Sequence, residues 1–138
     1  MAEKMKLEIV TPYSKVVDLE VDEVTATGKL GEFGVLPGHA PFLTSLKIGE
    51  LTYRFNGKTE HLALNWGYFE IRDDQIIVLV ETAERSEDID LERARAALNR
   101  AEEALRKLEP EDKQFKVHEA ALERALIRMQ VAGKATRK

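Results

Sequence analysis

Apolar and polar residues alternate in short runs up to about residue 84, and this period of two predicts β-strands. One such run extends from Lys6 to Val10. Another ends at Phe55, and a third begins at Lys58 directly after Asn56-Gly57. Asn-Gly between two alternating runs favours a hairpin with a primed turn, because both residues tolerate positive φ angles. The sequence therefore predicts a hairpin centred on these two residues.

A second hairpin is predicted immediately downstream. Tyr68 to Arg72 alternates, and Asp73-Asp74 supplies the turn. The run from Gln75 to Val80 is continuously apolar after its first residue, so we expect a strand buried on both faces. Many short strands with close turn signals are typical of a sandwich or a barrel, and we assign residues 1–84 to this β domain.

After Glu84 the period of the apolar residues becomes that of α-helices, so we assign residues 85–138 to a helical hairpin. Asp90 is placed to cap the first helix, and Pro110 marks the break before the second. The two apolar seams face each other across this short connection in an antiparallel arrangement. Alanine-rich seams bury little area at about 25 cal/mol per Å², so the hairpin is expected to be marginally stable and able to open. The plainer interpretation is two helices that simply pack. The seam residues are Leu91, Ala94, Leu98, Ala101, Leu105 and Leu108, followed by Phe115, His118, Leu122, Ala125, Met129 and Ala132.

Composition narrows the possible partners. A formal net charge of -4 and a pI near 5.5 argue against nucleic acid, because phosphate binding requires a basic surface. The chain has no cysteine, which excludes disulfides and thiolate chemistry. No apolar run approaches the roughly 20 residues that span a bilayer, and the first four residues resemble no signal peptide. Direct membrane insertion is therefore not expected.

Candidate catalytic and metal-binding patterns are incomplete. The glycines at 28, 31 and 34 do not have the G-x-G-x-x-G spacing, and no P-loop follows them. His39, His61 and His118 are far apart in sequence, so no metal site is expected, and His118 is interpreted as a packed seam residue. No serine lies in a nucleophile elbow. We therefore expect no catalytic residues and no enzymatic activity.

Three segments together carry a resemblance to a known family. They are the Gly-rich run from Gly31 to Pro41, the Gly67-Tyr68-Phe69-Glu70-Ile71 strand, and the run from Ala83 to Asp90 that leads into the helices. From Met5 to about Ala132 the chain resembles the ε subunit of bacterial F-type ATP synthases. The resemblance implies an α+β protein, with a sandwich of about ten strands followed by the two-helix hairpin. It also implies a non-catalytic subunit of the central stalk.

The resemblance implies partners for each part of the chain. The base of the β domain would rest on the membrane ring of c subunits, and its other side would hold the γ shaft. The ring contact falls on Glu32, Gly34, Pro37 and His39, with Glu32 at the acidic position that meets the ring. The protein would then couple the ring to γ during ion-gradient-driven ATP synthesis. Its expected location is peripheral, at the cytoplasmic face of the cell inner membrane.

The helices of this family can extend along the shaft, block ATP hydrolysis and enter the catalytic α/β hexamer. We expect Lys116, Arg124 and Arg128 on the solvent face of the second helix, where positive charge suits acidic loops of that hexamer. Lys134, Arg137 and Lys138 extend this basic character into the tail, which is expected to fray along with residues 1–4.

The segment from Asp90 to Arg95 resembles the Ile/Leu-Asp-x-x-Arg-Ala motif with which several bacterial ε subunits bind ATP. No cofactor is required, but the resemblance implies ATP as a regulatory ligand that selects the retracted hairpin. Arginine forks match phosphate oxygens, and the carboxylates would accept bonds from the adenine amino group. Alternatively, Asp90 only caps the helix and the arginines are solvated partners of nearby glutamates. The implied site comprises Glu84, Asp90, Arg93, Arg100, Arg124 and Arg128.

Two other function classes stay open on the residues alone. One is a free-standing nucleotide-sensing protein with a β-sandwich interaction domain. The other is an enzyme with its active site in the glycine-rich loop, although no set of nucleophile, base and orienting residue accompanies that loop. Co-purification with the α, β and γ subunits would separate these from the stalk role.

Overall fold

A computed structural model describes residues 3–135 of the chain. Eight strands precede two helices in this part of the sequence, with a single 3-10 turn at Ser86–Asp88 between them. The expected β-sandwich followed by a helical hairpin is confirmed. The strands are β1 (Met5–Val10), β2 (Lys15–Val21), β3 (Glu23–Gly28), β4 (Gly31–Val35), β5 (Phe42–Leu46), β6 (Gly49–Phe55), β7 (Lys58–Arg72) and β8 (Gln75–Arg85), and the helices are α1 (Leu91–Arg106) and α2 (Lys113–Ala132).

The strands are hydrogen-bonded in the order β2-β1-β8-β7-β5-β3-β4, and β6 pairs with both β3 and β7. The edge of β7 is shared, since residues 58–64 pair with β6 and residues 67–71 pair with β5. The chain bends between these stretches at Trp66, whose φ is 32°. The sequence signals at 58–64 and 68–72 are therefore parts of one 15-residue strand, which is one reason for finding eight strands where about ten were expected.

Alternating side chains from every strand fill the main core. Tyr53 and Phe69 are the largest fully buried side chains, and aliphatic residues such as Leu7, Leu51 and Ile71 surround them. The two predicted hairpin turns are confirmed, because all four turn residues have positive φ: 50° and 76° at Asn56-Gly57, then 51° and 58° at Asp73-Asp74.

The interpretation of Gln75 to Val80 as a strand buried on both faces is wrong. Ile76 and Val78 are fully buried, but Ile77 is 38% and Leu79 is 50% exposed. The strand pairs with β1 on one edge and β7 on the other, and only one of its faces points into the core. A continuous apolar run is expected both for a strand that is buried on its two faces and for a strand that has one exposed apolar face, so the sequence does not separate the two cases.

The hairpin is antiparallel, and α2 lies on β6 and β7 of the sandwich. Asp90 caps α1 by accepting a hydrogen bond from the Arg93 backbone, and Asp112 caps α2 in the same way from Gln114. The buried side chains of the helices are small. Ala94, Ala101, Ala125 and Ala132 belong to the predicted seams, whereas Val131 does not, and it clusters with Ala132, Ala63 and Ile89.

No helix within residues 3–135 has both the length and the apolar character needed to cross a membrane. The same residues contain no group of three or more His, Cys, Asp or Glu side chains placed to hold a metal ion.

Candidate functional site

A cleft of about 620 Å³ separates the hairpin from the sandwich, and we call it the hairpin cleft. Its sandwich wall includes Asn65, Thr82 and Glu84 from β7 and β8. Its helical wall includes Ala97 of α1 and the two arginines Arg124 and Arg128 of α2. The cleft is open because the alanine side chains that line it are small. Glu84 makes its sandwich wall acidic, and Arg124 and Arg128 make its helical wall basic.

Glu84 and Arg128 join the two walls of the hairpin cleft. Arg128 Nη2 donates a 3.1 Å hydrogen bond to Glu84 Oε2. Arg128 Nε lies 2.7 Å from Oε1, at an angle too bent for a hydrogen bond, so charge attraction dominates there. Arg124 and Arg128 were expected on the solvent face of the second helix, but both are half-buried against the sandwich. Of the two, Arg128 pairs with Glu84, whereas Lys116 is exposed as expected.

Asn65 is a cleft residue that the sequence analysis missed. Its side chain is buried and its Nδ2 donates to Glu81 Oε2 at 3.3 Å. A carboxylate can only accept, so this bond fixes the orientation of the amide and leaves Oδ1 free. Oδ1 is buried and has no hydrogen-bond partner. A polar residue ending the apolar run Leu62-Ala63-Leu64 was the signal in the sequence.

The other residues of the implied ATP site lie apart from this cleft. The Asp90 carboxylate is exposed and caps α1, with Oδ1 3.1 Å from the Arg93 backbone nitrogen. Arg93 and Arg100 are exposed on α1 and do not line the hairpin cleft. The folded hairpin thus brings together Glu84, Arg124 and Arg128 but not the whole set of six.

The glycine-rich loop is held to the sandwich at several points. Gly31 and Gly38 have φ angles of 124° and 89°, which only glycine adopts readily. The Gly38 backbone donates a 2.8 Å bond to Asp74 Oδ1 in the β7–β8 turn. Phe33 packs edge-on against Phe69, with ring centroids 4.9 Å apart. Glu32 and Gly34 are exposed at the surface of this anchored loop, while Pro37 and His39 are partly covered.

An apolar groove of about 870 Å³ opens elsewhere on the sandwich. Trp66, Tyr68 and Leu79 line it, and we call these three the apolar face. They are 44%, 61% and 50% exposed, which is unusual for such large side chains in one place. The bend of β7 at Trp66 and the uncovered face of β8 create this surface.

Comparison with known proteins decides the family. The model of the ATP synthase delta/epsilon chain β-sandwich domain matches residues 4–86, and the model of its long α-helix domain matches residues 87–133. The chain belongs to the ATP synthase delta/epsilon chain family. Like the subunits of this family, it is not itself catalytic. The enzyme hypothesis for the glycine-rich loop is therefore set aside.

Relatives in this family match the whole chain. It is 81% identical to the ATP synthase epsilon chain of Trichlorobacter lovleyi and 74% identical to that of Geobacter sulfurreducens, over 138 residues and the full length of each. A chain of the Euglena gracilis mitochondrial ATP synthase, solved with OSCP, F1 and the c-ring, has a TM-score of 0.81 and 23% identity, and the match covers 94% of this chain and 81% of that one. This last likeness shows the fold alone.

Proposed function

We propose that this chain couples the c-subunit ring to the γ shaft during ion-gradient-driven ATP synthesis, and that its hairpin inhibits ATP hydrolysis when it leaves the sandwich. The observation that carries the regulatory part is the way the hairpin is held. Small buried side chains and a few polar contacts hold it to the sandwich, so it can be released without exposing a large core. The proposed location is peripheral, on the cytoplasmic face of the cell inner membrane.

The glycine-rich loop supports the ring contact. A contact that transmits torque must be stiff, and this loop is tied to the β7–β8 turn through Asp74 and to the core through Phe33. Glu32 projects from β4 into solvent, where a polar loop of the ring can donate to its carboxylate. We propose that Glu32, Gly34, Pro37 and His39 form this contact.

The apolar face supports the γ contact. Three large side chains in a shallow groove are costly to leave in water and form the kind of patch that marks a protein interface. Trp and Tyr are also the residue types that carry most binding energy at such sites. We propose that γ covers Trp66, Tyr68 and Leu79. Co-purification with γ should fall when Leu79 is replaced by Arg, while Lys58→Glu, on an exposed strand end outside the groove, should have no effect.

ATP binding is proposed for the hairpin cleft. A triphosphate would draw on Arg124 and Arg128, whose planar forks form charge-assisted bonds with phosphate oxygens. Arg93 and Arg100 would have to turn from solvent toward it, and Asp90 would have to combine ligand contact with its capping role. The free Oδ1 of Asn65 adds an acceptor suited to an adenine amino group. Ligand at 100 times its Kd stabilises the bound state by about 2.7 kcal/mol, enough to hold a marginal hairpin closed.

Calorimetric titration of the full chain with ATP, with ADP for comparison, tests the nucleotide proposal. Saturable one-to-one binding that prefers ATP supports it. Arg93→Ala and Arg124→Ala should each weaken this binding and strengthen inhibition at low ATP. Arg106→Ala is the matched control, because Arg106 is an exposed helical arginine that pairs with Glu103. Unchanged affinity in both test variants would refute the assignment.

A further inference from the structure

A second polar cleft of about 290 Å³ lies under the last turn of α2, and we call it the Glu50 cleft. The side chain of Glu50, on β6, is only 12% exposed. Two groups from the helix end donate to its carboxylate. Lys134 Nζ lies 2.8 Å from Oε1 and 2.9 Å from Oε2, and Gln130 Nε2 lies 3.0 Å from Oε1.

The sandwich itself holds the same carboxylate in place. His61 Nδ1 lies 2.8 Å from Glu50 Oε2, and Thr52 Oγ1 donates to that oxygen at 3.1 Å. Thr52 and His61 face each other across β6 and β7. Glu50 is therefore oriented by the sheet on one side and bonded to the helix on the other.

We propose that Glu50 is a latch that fastens the C-terminal turn of α2 to the sandwich, and that breaking it frees this end of the hairpin while the sandwich stays folded. The latch is separate from the hairpin cleft and needs no nucleotide. Its consequence for hydrolysis rests on the proposed function, whereas its existence does not.

The surroundings explain why a single carboxylate can have this effect. The apolar cluster that the described residues form beneath this end of α2 is small: Ala63, Ile89, Val131 and Ala132 are buried in it, and Leu91 and Ile127 pack against it partly buried. Charge-assisted bonds are about twice as strong as neutral ones, so the bonds from Lys134 and Gln130 add to this small apolar contact. When α2 leaves, His61 and Thr52 still satisfy Glu50. Release therefore leaves no bare buried charge, and the latch can close again.

Acidity should open this latch. Burial by itself would raise the pKa of Glu50, but bonds from Lys134, Gln130, His61 and Thr52 outweigh it and hold the pKa below the ordinary 4.5. Among the described residues, the other acidic group lining the cleft is Glu32 of β4, and the basic groups are His61 of β7 and Lys134, two residues beyond the end of α2. A lowered pKa means that the latch is intact above 4.5 and is lost as pH falls through the folded-state value.

Hydrogen–deuterium exchange on the full-length chain at neutral pH tests the latch. In Glu50→Gln, amides of residues 126–135 should exchange at least about tenfold faster, because bonds to a charged group have been lost. Amides of residues 67–71, in the sandwich, should be unchanged. Glu8→Gln is the matched control, because Glu8 pairs with Lys15 on the β1–β2 ribbon.

Lys134→Met removes the other partner of the same contact. Because Lys134 is exposed, this substitution should not unfold the protein, and faster exchange would report the loss of the contact with Glu50. It should reproduce the faster exchange, and the double variant should be no faster than the stronger single one. Protection that is unchanged in Lys134→Met, or single effects that multiply in the double variant, would overturn the latch. Exchange is measured on the isolated chain. The latch would therefore still be supported if the hairpin proved not to inhibit ATP hydrolysis.

Discussion

Gly67→Ala should damage the fold more than any other single methyl addition at a glycine of the sheet. Gly67 lies in β7 between Trp66 and Tyr68, opposite Val80 of β8. A Cβ there would overlap the carbonyl oxygen of Leu79 and come within 2.8 Å of the Val80 Cα. These obstacles are backbone atoms, so no side-chain rotation relieves them. The strands must separate or shift register at the centre of the sheet.

The expected cost follows from that geometry. Overpacking lowers the free energy of unfolding by about 1–3 kcal/mol when neighbouring side chains can partly move away. A clash with backbone atoms, which cannot move away, should cost an amount at or above the top of that range. We expect a loss of about 3 kcal/mol in the free energy of unfolding. With a urea m-value of about 1–3 kcal/mol/M, the midpoint should fall by at least about 1 M.

Urea unfolding followed by circular dichroism measures this shift. Gly34→Ala is the control, because its Cβ would lie an ordinary 3.7 Å from the Val24 carbonyl oxygen. Its free energy of unfolding should stay within about 0.5 kcal/mol of the wild type, as is usual for surface changes. If Gly67→Ala unfolds at the same urea concentration as Gly34→Ala, β7 and β8 do not approach each other closely enough at Gly67 to exclude a methyl group.

Three further predictions concern the hairpin. Arg128→Ala removes the half-buried pair with Glu84 and should destabilise the hairpin by about 1–2 kcal/mol, between the values for exposed and buried pairs, as seen by exchange of α2 amides. Ala101→Leu should force the helices apart and cost about 1–3 kcal/mol, which thermal unfolding would show as an early loss of helical signal. Lowering the pH below 4.5 should reduce the protection of amides at the end of α2, measured against the intrinsic exchange rate at each pH, in the wild type but much less in Glu50→Gln, which has already lost the ionised carboxylate. Equal acid sensitivity in both proteins would contradict the assignment of that titration to Glu50.

Local chemistry made parts of the fold predictable. Asn56-Gly57 and Asp73-Asp74 form their turns because the positive φ angles are a property of those residues themselves. The helix start at Leu91 and its cap at Asp90 were likewise available from neighbouring residues. The small seam residues Ala94, Ala101 and Ala125 are buried, as their spacing indicates.

Features that depend on distant parts of the chain were not predictable. Leu79 is apolar whether or not another layer covers its face, so its exposure could not be inferred from β8 alone. Glu50 and Lys134 are 84 positions apart, and nothing local marks either as the other's partner. Arg128 pairs with Glu84, which lies 44 positions earlier in the chain and is not marked as its partner by anything local. The helical period correctly predicted the spacing of the apolar residues along α2, but it did not predict which side of the helix faces the sandwich.

ATP hydrolysis by the reassembled catalytic complex tests the regulatory claim most directly. The complex is assembled with the full chain or with a version that ends at Asp88, and its rate is measured at low and at saturating ATP. If the hairpin inhibits, the shortened version should give a faster rate, with the largest difference at low ATP, when the hairpin is released from the sandwich. Equal rates at both ATP concentrations, in complexes shown to contain the chain, would contradict the account.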